Sequence, residues 1–126
     1  GISTNALQIG DLLLHAQIGD ALKNLDLLLD SGEPPLRILA SLTGQVRGCL
    51  WIRLMDQAGE KDVSAIARAA GISNPKRIYV MRKQIQEQKT EFFLRMLFGL
   101  LEIEASLKRG MSPFEAFRDG LLGVVA

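Results

Sequence analysis

Side chains able to do covalent or proton-transfer chemistry are few. The chain carries one histidine, His15, and one cysteine, Cys49. A thiol or imidazole becomes a useful nucleophile or base only with a partner in hydrogen-bond reach. The spacing around each residue places them on separate amphipathic helices, so no Cys–His or Ser–His–Asp set emerges. Cys49 reads as a small core residue. His15, near the end of the first helix, reads as a C-terminal capping or surface residue. One Cys and one His cannot complete a four-ligand zinc site without carboxylates or a second chain. Glu102 and Glu104 stand two residues apart on a helix, point to different faces and form no acid/base pair. No phosphate-binding loop of the G-x-x-x-x-G-K-[ST] type occurs. The sequence therefore nominates no catalytic, cofactor-binding or metal-ligating residue, and no small-molecule substrate.

Ionic contact with a partner is the remaining chemistry. Residues 75–89 hold five bases (Lys76, Arg77, Arg82, Lys83, Lys89) against one acid, Glu87, while residues 19–33 hold four acids (Asp20, Asp26, Asp30, Glu33) against one base, Lys23. Such opposed patches suit contacts between protein subunits as well as solvated helix faces. The stretch from Val63 to Ser73, with small Ala67 and a turn at Gly71, leads into this basic segment and has the look of a helix-turn-helix. On that alternative reading, residues 62–89 form a DNA-binding regulator whose second helix presents Lys76, Arg77, Arg82 and Lys83. The same pattern also serves as a plain packing unit. The four cations are candidates for weak DNA contact. Trp51, in a long helix, is a packing residue or an interface anchor.

The elements that must position these residues are all helical. The chain has 126 residues, is 48% hydrophobic with few aromatics, and has four prolines; this suits one globular domain of long helices. A net charge of +1 makes no global case for nucleic-acid binding. The lone cysteine excludes an internal disulfide and points to the cytoplasm. No apolar run approaches the roughly 20 residues of a membrane span, and no signal peptide is present. The absence of an initiator Met before Gly1 suggests processing or a piece of a longer protein. The first helix is expected after Ser3-Thr4-Asn5 and broken at Gly19, with Asp20 opening the second and Ser31-Gly32 ending it. The third starts at Pro34-Pro35 and runs to about Gln57, with Gly44 and Gly48 small enough for another helix to approach. Leu36, Leu39, Val46 and Leu50 form its core stripe, widened by Leu42, Cys49 and Ile52. A fourth helix spans 62–70. A fifth follows Ser73-Asn74-Pro75 with Ile78, Met81 and Ile85 facing inward. Thr90 caps a sixth that stops at Gly110, and a Ser112–Glu115 capping box opens a seventh.

The order of these signals resembles the C-terminal domain of the bacterial DNA polymerase III clamp-loader delta subunit. The resemblance rests on Gly19-Asp20-Ala21-Leu22-Lys23 with Leu27-Leu28, then Gly32-Glu33-Pro34-Pro35-Leu36-Arg37-Ile38-Leu39. It continues through Leu42, Gln45 and Arg47, then Ile66-Ala67, Gly71-Ile72 and Pro75, and ends on Leu101, Leu107, Lys108 and Gly110. Pro34 replaces a second Glu, and Glu104 stands where Asp is common; neither disturbs a known chemical role. The resemblance implies an all-α bundle of six or seven helices. It implies that residues 1–126 are one C-terminal collar domain, with an AAA+-like module absent from this sequence. It further implies assembly with delta prime and gamma/tau subunits in the polymerase holoenzyme. Sliding clamp and primed DNA would be met through the missing part or the whole complex. Helical spacing leaves more apolar surface on the third and sixth helices than one core needs. The candidate subunit interface is therefore Arg47, Trp51, Leu54, Phe93 and Leu97.

Overall fold

A computed structural model describes the backbone of residues 2–126 and side chains from Asn5 onward. Among these residues there are seven helices and no strand: α1 (Ile2–Leu14), α2 (Ile18–Asp30), α3 (Pro35–Gln57), α4 (Val63–Ala70), α5 (Arg77–Ile85), α6 (Thr90–Lys108) and α7 (Pro113–Val125). The expected all-α class is observed, and α3, at 23 residues, is the longest helix.

One closing device recurs. In each of α1, α2, α3, α4 and α6 a residue one or two positions past the helix turns left-handed, and paired N–H groups reach back to the last free carbonyls. In α4, for example, Gly71 (φ 72°) donates to Arg68 O and Ile72 donates to Ala67 O at 2.8 Å. Gly32, Gly59 and Gly110 do the same work at α2, α3 and α6, where the sequence placed the breaks. The α1–α2 break corrects the expectation. It falls at Ala16 (φ 59°), with Gln17 donating to Leu12 O at 2.9 Å, and Gly19 lies inside α2. Alanine adopts this conformation under strain, held there by the packing of Leu13, Leu14 and Ile18 into the core.

Helix starts follow the expected sequence less closely. Asp62 caps α4, its Oδ1 accepting the Ser64 N–H at 2.9 Å. Helix α1 is already formed at Ile2, ahead of the Ser3-Thr4-Asn5 start. Thr90 is the first residue of α6 rather than its cap, and Ser112 precedes α7 without a side-chain capping bond. Pro113 supplies the pre-set φ at that start.

Packing is organised around α3. It contacts α1, α4, α5 and α6, while α6 also packs on α7, α7 on α2, and α2 on α1. Helices α1, α2, α7, α6 and α3 thus close a ring around one core that includes Leu13, Leu25, Leu42, Phe93, Met96 and Phe117. Cys49 and Ile52 of α3 are buried, as are Ile78, Met81 and Ile85 of α5. Leu36, expected in the core, is half exposed at the start of α3. The approach of a second helix to α3 occurs at Gly48, where a Cβ would stand 3.3 Å from Ala70 O; Gly44 faces open space.

The closest approach of backbone to a helical glycine joins α6 and α7. A Cβ on Gly99 would lie 2.8 Å from Val124 Cγ2 and 3.0 Å from Gly120 O; one on Gly120 would meet the Ile103 side chain and lie 3.1 Å from Gly99 O. A second tie is a pair of charge-assisted hydrogen bonds. Arg53 of α3 donates to Ile85 O and Gln88 O, both at 2.7 Å, at the end of α5, with its guanidinium over the Phe93 ring. No sequence signal marked this residue.

Three stability outcomes follow from thermal or denaturant unfolding. Gly120→Ala costs about 1–3 kcal/mol, because backbone on the far side cannot yield. Arg53→Met costs about 2 kcal/mol, having removed two charge-assisted bonds to carbonyls. Ala16→Gly raises stability by about 0.5–1 kcal/mol, since glycine adopts the left-handed turn freely; an unchanged midpoint there would mean that Ala16 is not strained.

Candidate functional site

The reactive residues do not converge. Cys49 is buried in α3, and its thiol is pushed up to about 12 by burial first and the Asp11 carboxylate second, against the opposing pull of Arg77 and Arg53. His15 sits at the end of α1 with Nδ1 3.4 Å from Glu87 Oε2, a surface contact between α1 and the α5–α6 connector. Among the described residues no group of three or more His, Cys, Asp or Glu side chains is placed to hold a metal, and no helix is long and apolar enough to cross a membrane.

The basic cluster is divided rather than united. Arg82 forms a two-pronged pair with Asp56 of α3, Nε to Oδ2 at 2.9 Å and Nη2 to Oδ1 at 2.7 Å. That hydrogen bond to Asp56 raises its pKa, and its guanidinium also lies over the Tyr79 ring. Lys76, Arg77 and Lys83 are exposed. Between α4 and α5 lie residues 71–76, a longer joint than the three or four residues of a helix-turn-helix. The outer side of α5 also shows Tyr79 and Val80, both exposed. A recognition helix carrying four free cations is therefore not what α5 presents.

Arg77 instead joins residues from other helices. A cleft of about 420 Å³ opens between α1, α3, α4 and α5; Arg47 and Trp51 of α3, Arg68 of α4 and Arg77 line it, with Gly44 and Gly48 on the α3 side. Arg47, Trp51 and Leu54 follow one another along one face of α3, and Trp51 is 42% exposed. These three interface candidates are at the surface.

On α6 the candidates require correction. Phe93 is 0% exposed, at the centre of the core beneath Arg53, and Leu97 is only partly exposed and packs on the core. The periodicity could not choose among residues that are apolar on almost every side. The outward stripe is Leu94, Phe98 and Leu101, at three- and four-residue steps, with Phe98 66% exposed. Beside it a groove floored by Gly99, Gly120 and Gly123 carries Arg95 and Glu102 on either side of Phe98. Leu122 and Val125 extend the exposed apolar surface on α7.

Among the described residues this seven-helix domain has a filled core, large apolar side chains at its surface and no convergent reactive groups; exposed apolar surface of this kind is common at partner contacts. The family model for the DNA polymerase III delta subunit, C-terminal domain, matches residues 3–119, and the chain belongs to that family. Neither the curated proteins nor the solved structures give a match.

Burial of Cys49 has a measurable consequence. At pH 8 it stays protonated and unreactive toward thiol reagents until the chain unfolds. Because the folded value lies above the ordinary 9.0, its contribution to stability is fully present below pH 9 and is lost as pH rises from about 9 to about 12. Rapid labelling in native buffer would contradict the burial.

Proposed function

We propose that this domain is the assembly domain of a clamp-loader delta subunit, holding that subunit in the complex that places the sliding clamp on primed DNA. The observation that supports it most is the solvent-facing Leu94–Phe98–Leu101 stripe of α6, with Leu122 and Val125 of α7 also exposed. Membership of the delta C-terminal family gives that apolar surface a context. Its neighbours are delta prime and gamma/tau domains, which pack beside it as a helical collar. Sliding clamp and DNA are engaged by the rest of the subunit or by the whole complex, in the cytoplasm, and the polymerising activity belongs to the parent holoenzyme.

A subunit inside a ring-like array needs two different contact surfaces, one for each neighbour. The α6–α7 stripe is one; the α3 face of Arg47, Trp51 and Leu54 is the other. The basic residues of α5 then serve solubility and subunit contact rather than sequence reading.

The test replaces Phe98 and Leu101 with Glu in the full-length subunit and measures assembly with the other loader subunits. Both residues are more than half exposed, at 66% and 58%, so the domain's own stability should change by no more than about 0.5 kcal/mol each. Assembly should fall at least tenfold. Normal assembly with the variant folded would reject the α6 stripe as the contact.

A further inference from the structure

The cleft between α1, α3, α4 and α5 has a chemical character that the apolar stripe of α6 lacks. Arg47, Arg68 and Arg77 come from three different helices and border one opening, and no carboxylate lines it. Among the described residues none of the three makes an ion pair or a side-chain hydrogen bond. Some of the chain's other cations do pair: Arg82 is held by Asp56, Arg37 by Glu33 and Lys108 by Glu104. Three guanidinium groups left free at one mouth repel one another and favour an incoming anion.

The rest of the lining is largely apolar, with Ser41 and Gln45 among it. Leu7, Ile72, Met81 and the half-exposed Trp51 border the same space. A ligand that satisfies both parts carries a carboxylate and, next to it, a bulky apolar group. We propose that this cleft receives an acidic segment of a partner protein, anchored by an Asp or Glu side chain on the arginines and by an adjoining apolar side chain against Trp51. Guanidinium groups pair with carboxylates through two parallel hydrogen bonds, a geometry that lysine cannot supply. The inference rests on the assembly reading only in taking the partner to be a protein of the same complex.

A nucleic-acid strand is the competing occupant and fits less well. Strands draw their affinity from many phosphates along an extended basic track. Here the cleft itself holds three arginines, Arg82 on α5 is already engaged by Asp56, and the chain's net charge is only +1.

Trp51 is the chain's single tryptophan, so its emission reports on the cleft directly. The titrants are a short tryptophan-free peptide of alternating Glu and Leu, the same peptide with Gln in place of Glu, and oligothymidylate. The Glu–Leu peptide is expected to change Trp51 emission saturably at low salt. The Gln–Leu peptide should bind at least tenfold more weakly, and Arg68→Glu with Arg77→Glu should weaken the Glu–Leu peptide by at least tenfold. Circular dichroism confirms that the variant is folded, and Arg68→Gln serves as a milder second variant. Equal binding of the two peptides, or unchanged binding by both variants, overturns the proposal. Tighter binding of oligothymidylate overturns it in favour of a nucleic-acid site. Phe98→Glu should leave peptide binding intact, so failure of the α6 contact and failure of the cleft are read separately.

Discussion

Helix α3 sets the constraint that the rest of the domain satisfies. Its buried residues, Ile38, Leu39, Leu42, Val46, Gly48, Cys49 and Ile52, spread beyond a single narrow stripe. A helix apolar on more than one side cannot be covered by one neighbour. It is covered by α1 and α6 within the ring and by α4 and α5 outside it. The short α4, of 8 residues, is too small to be stable alone in water, so its place follows from what α3 must bury. Gly48 admits it because a larger side chain there would press on the Ala70 carbonyl.

Covering α3 leaves other surfaces unfinished. Helix α6 meets α3 on one side and α7 on another, and its third side carries Leu94, Phe98 and Leu101 into solvent. The close glycine crossing between α6 and α7 sharpens this. Because the two backbones touch at Gly99 and Gly120, the groove above them is shallow, and Phe98 beside it has no internal partner to fold onto. The cleft on the α3 side has the opposite character, with charge at its mouth and apolar side chains behind. One domain thereby carries two chemically distinct faces.

Much of this was legible in the sequence because it is written locally. Four of the five left-handed helix ends carry glycine, and Pro35 and Pro113 mark helix starts. The break at Ala16 was not legible, since its conformation comes from the packing of Leu13 and Ile18 on either side. The choice among the apolar residues of α6 was equally hidden: the run from Phe92 to Leu101 has apolar residues on almost every side, so only the positions of α3 and α7 decide that Phe93 is buried and Phe98 is not. On the charged surface, sequence proximity grouped Arg77 with Arg82. Asp56, 26 residues away from Arg82, separates them, and Arg77 groups with Arg47 and Arg68, which proximity could not suggest. Arg53 is legible nowhere in its own neighbourhood, because its partners lie 32 and 35 residues ahead.

That last contact limits how the chain can vary over evolutionary time. The end of α5 has no glycine; beside the backbone bonds from Gln86 to Lys83 O and from Gln88 to Ile85 O, the carbonyls of Ile85 and of Gln88 just beyond it accept from an arginine fixed on another helix. Insertions and deletions are ordinarily tolerated best in surface connectors. Between Ile85 and Thr90 they would move one or both carbonyls away from a guanidinium that is itself held over the Phe93 ring. The connector, though near the surface, is therefore constrained in length like a core segment.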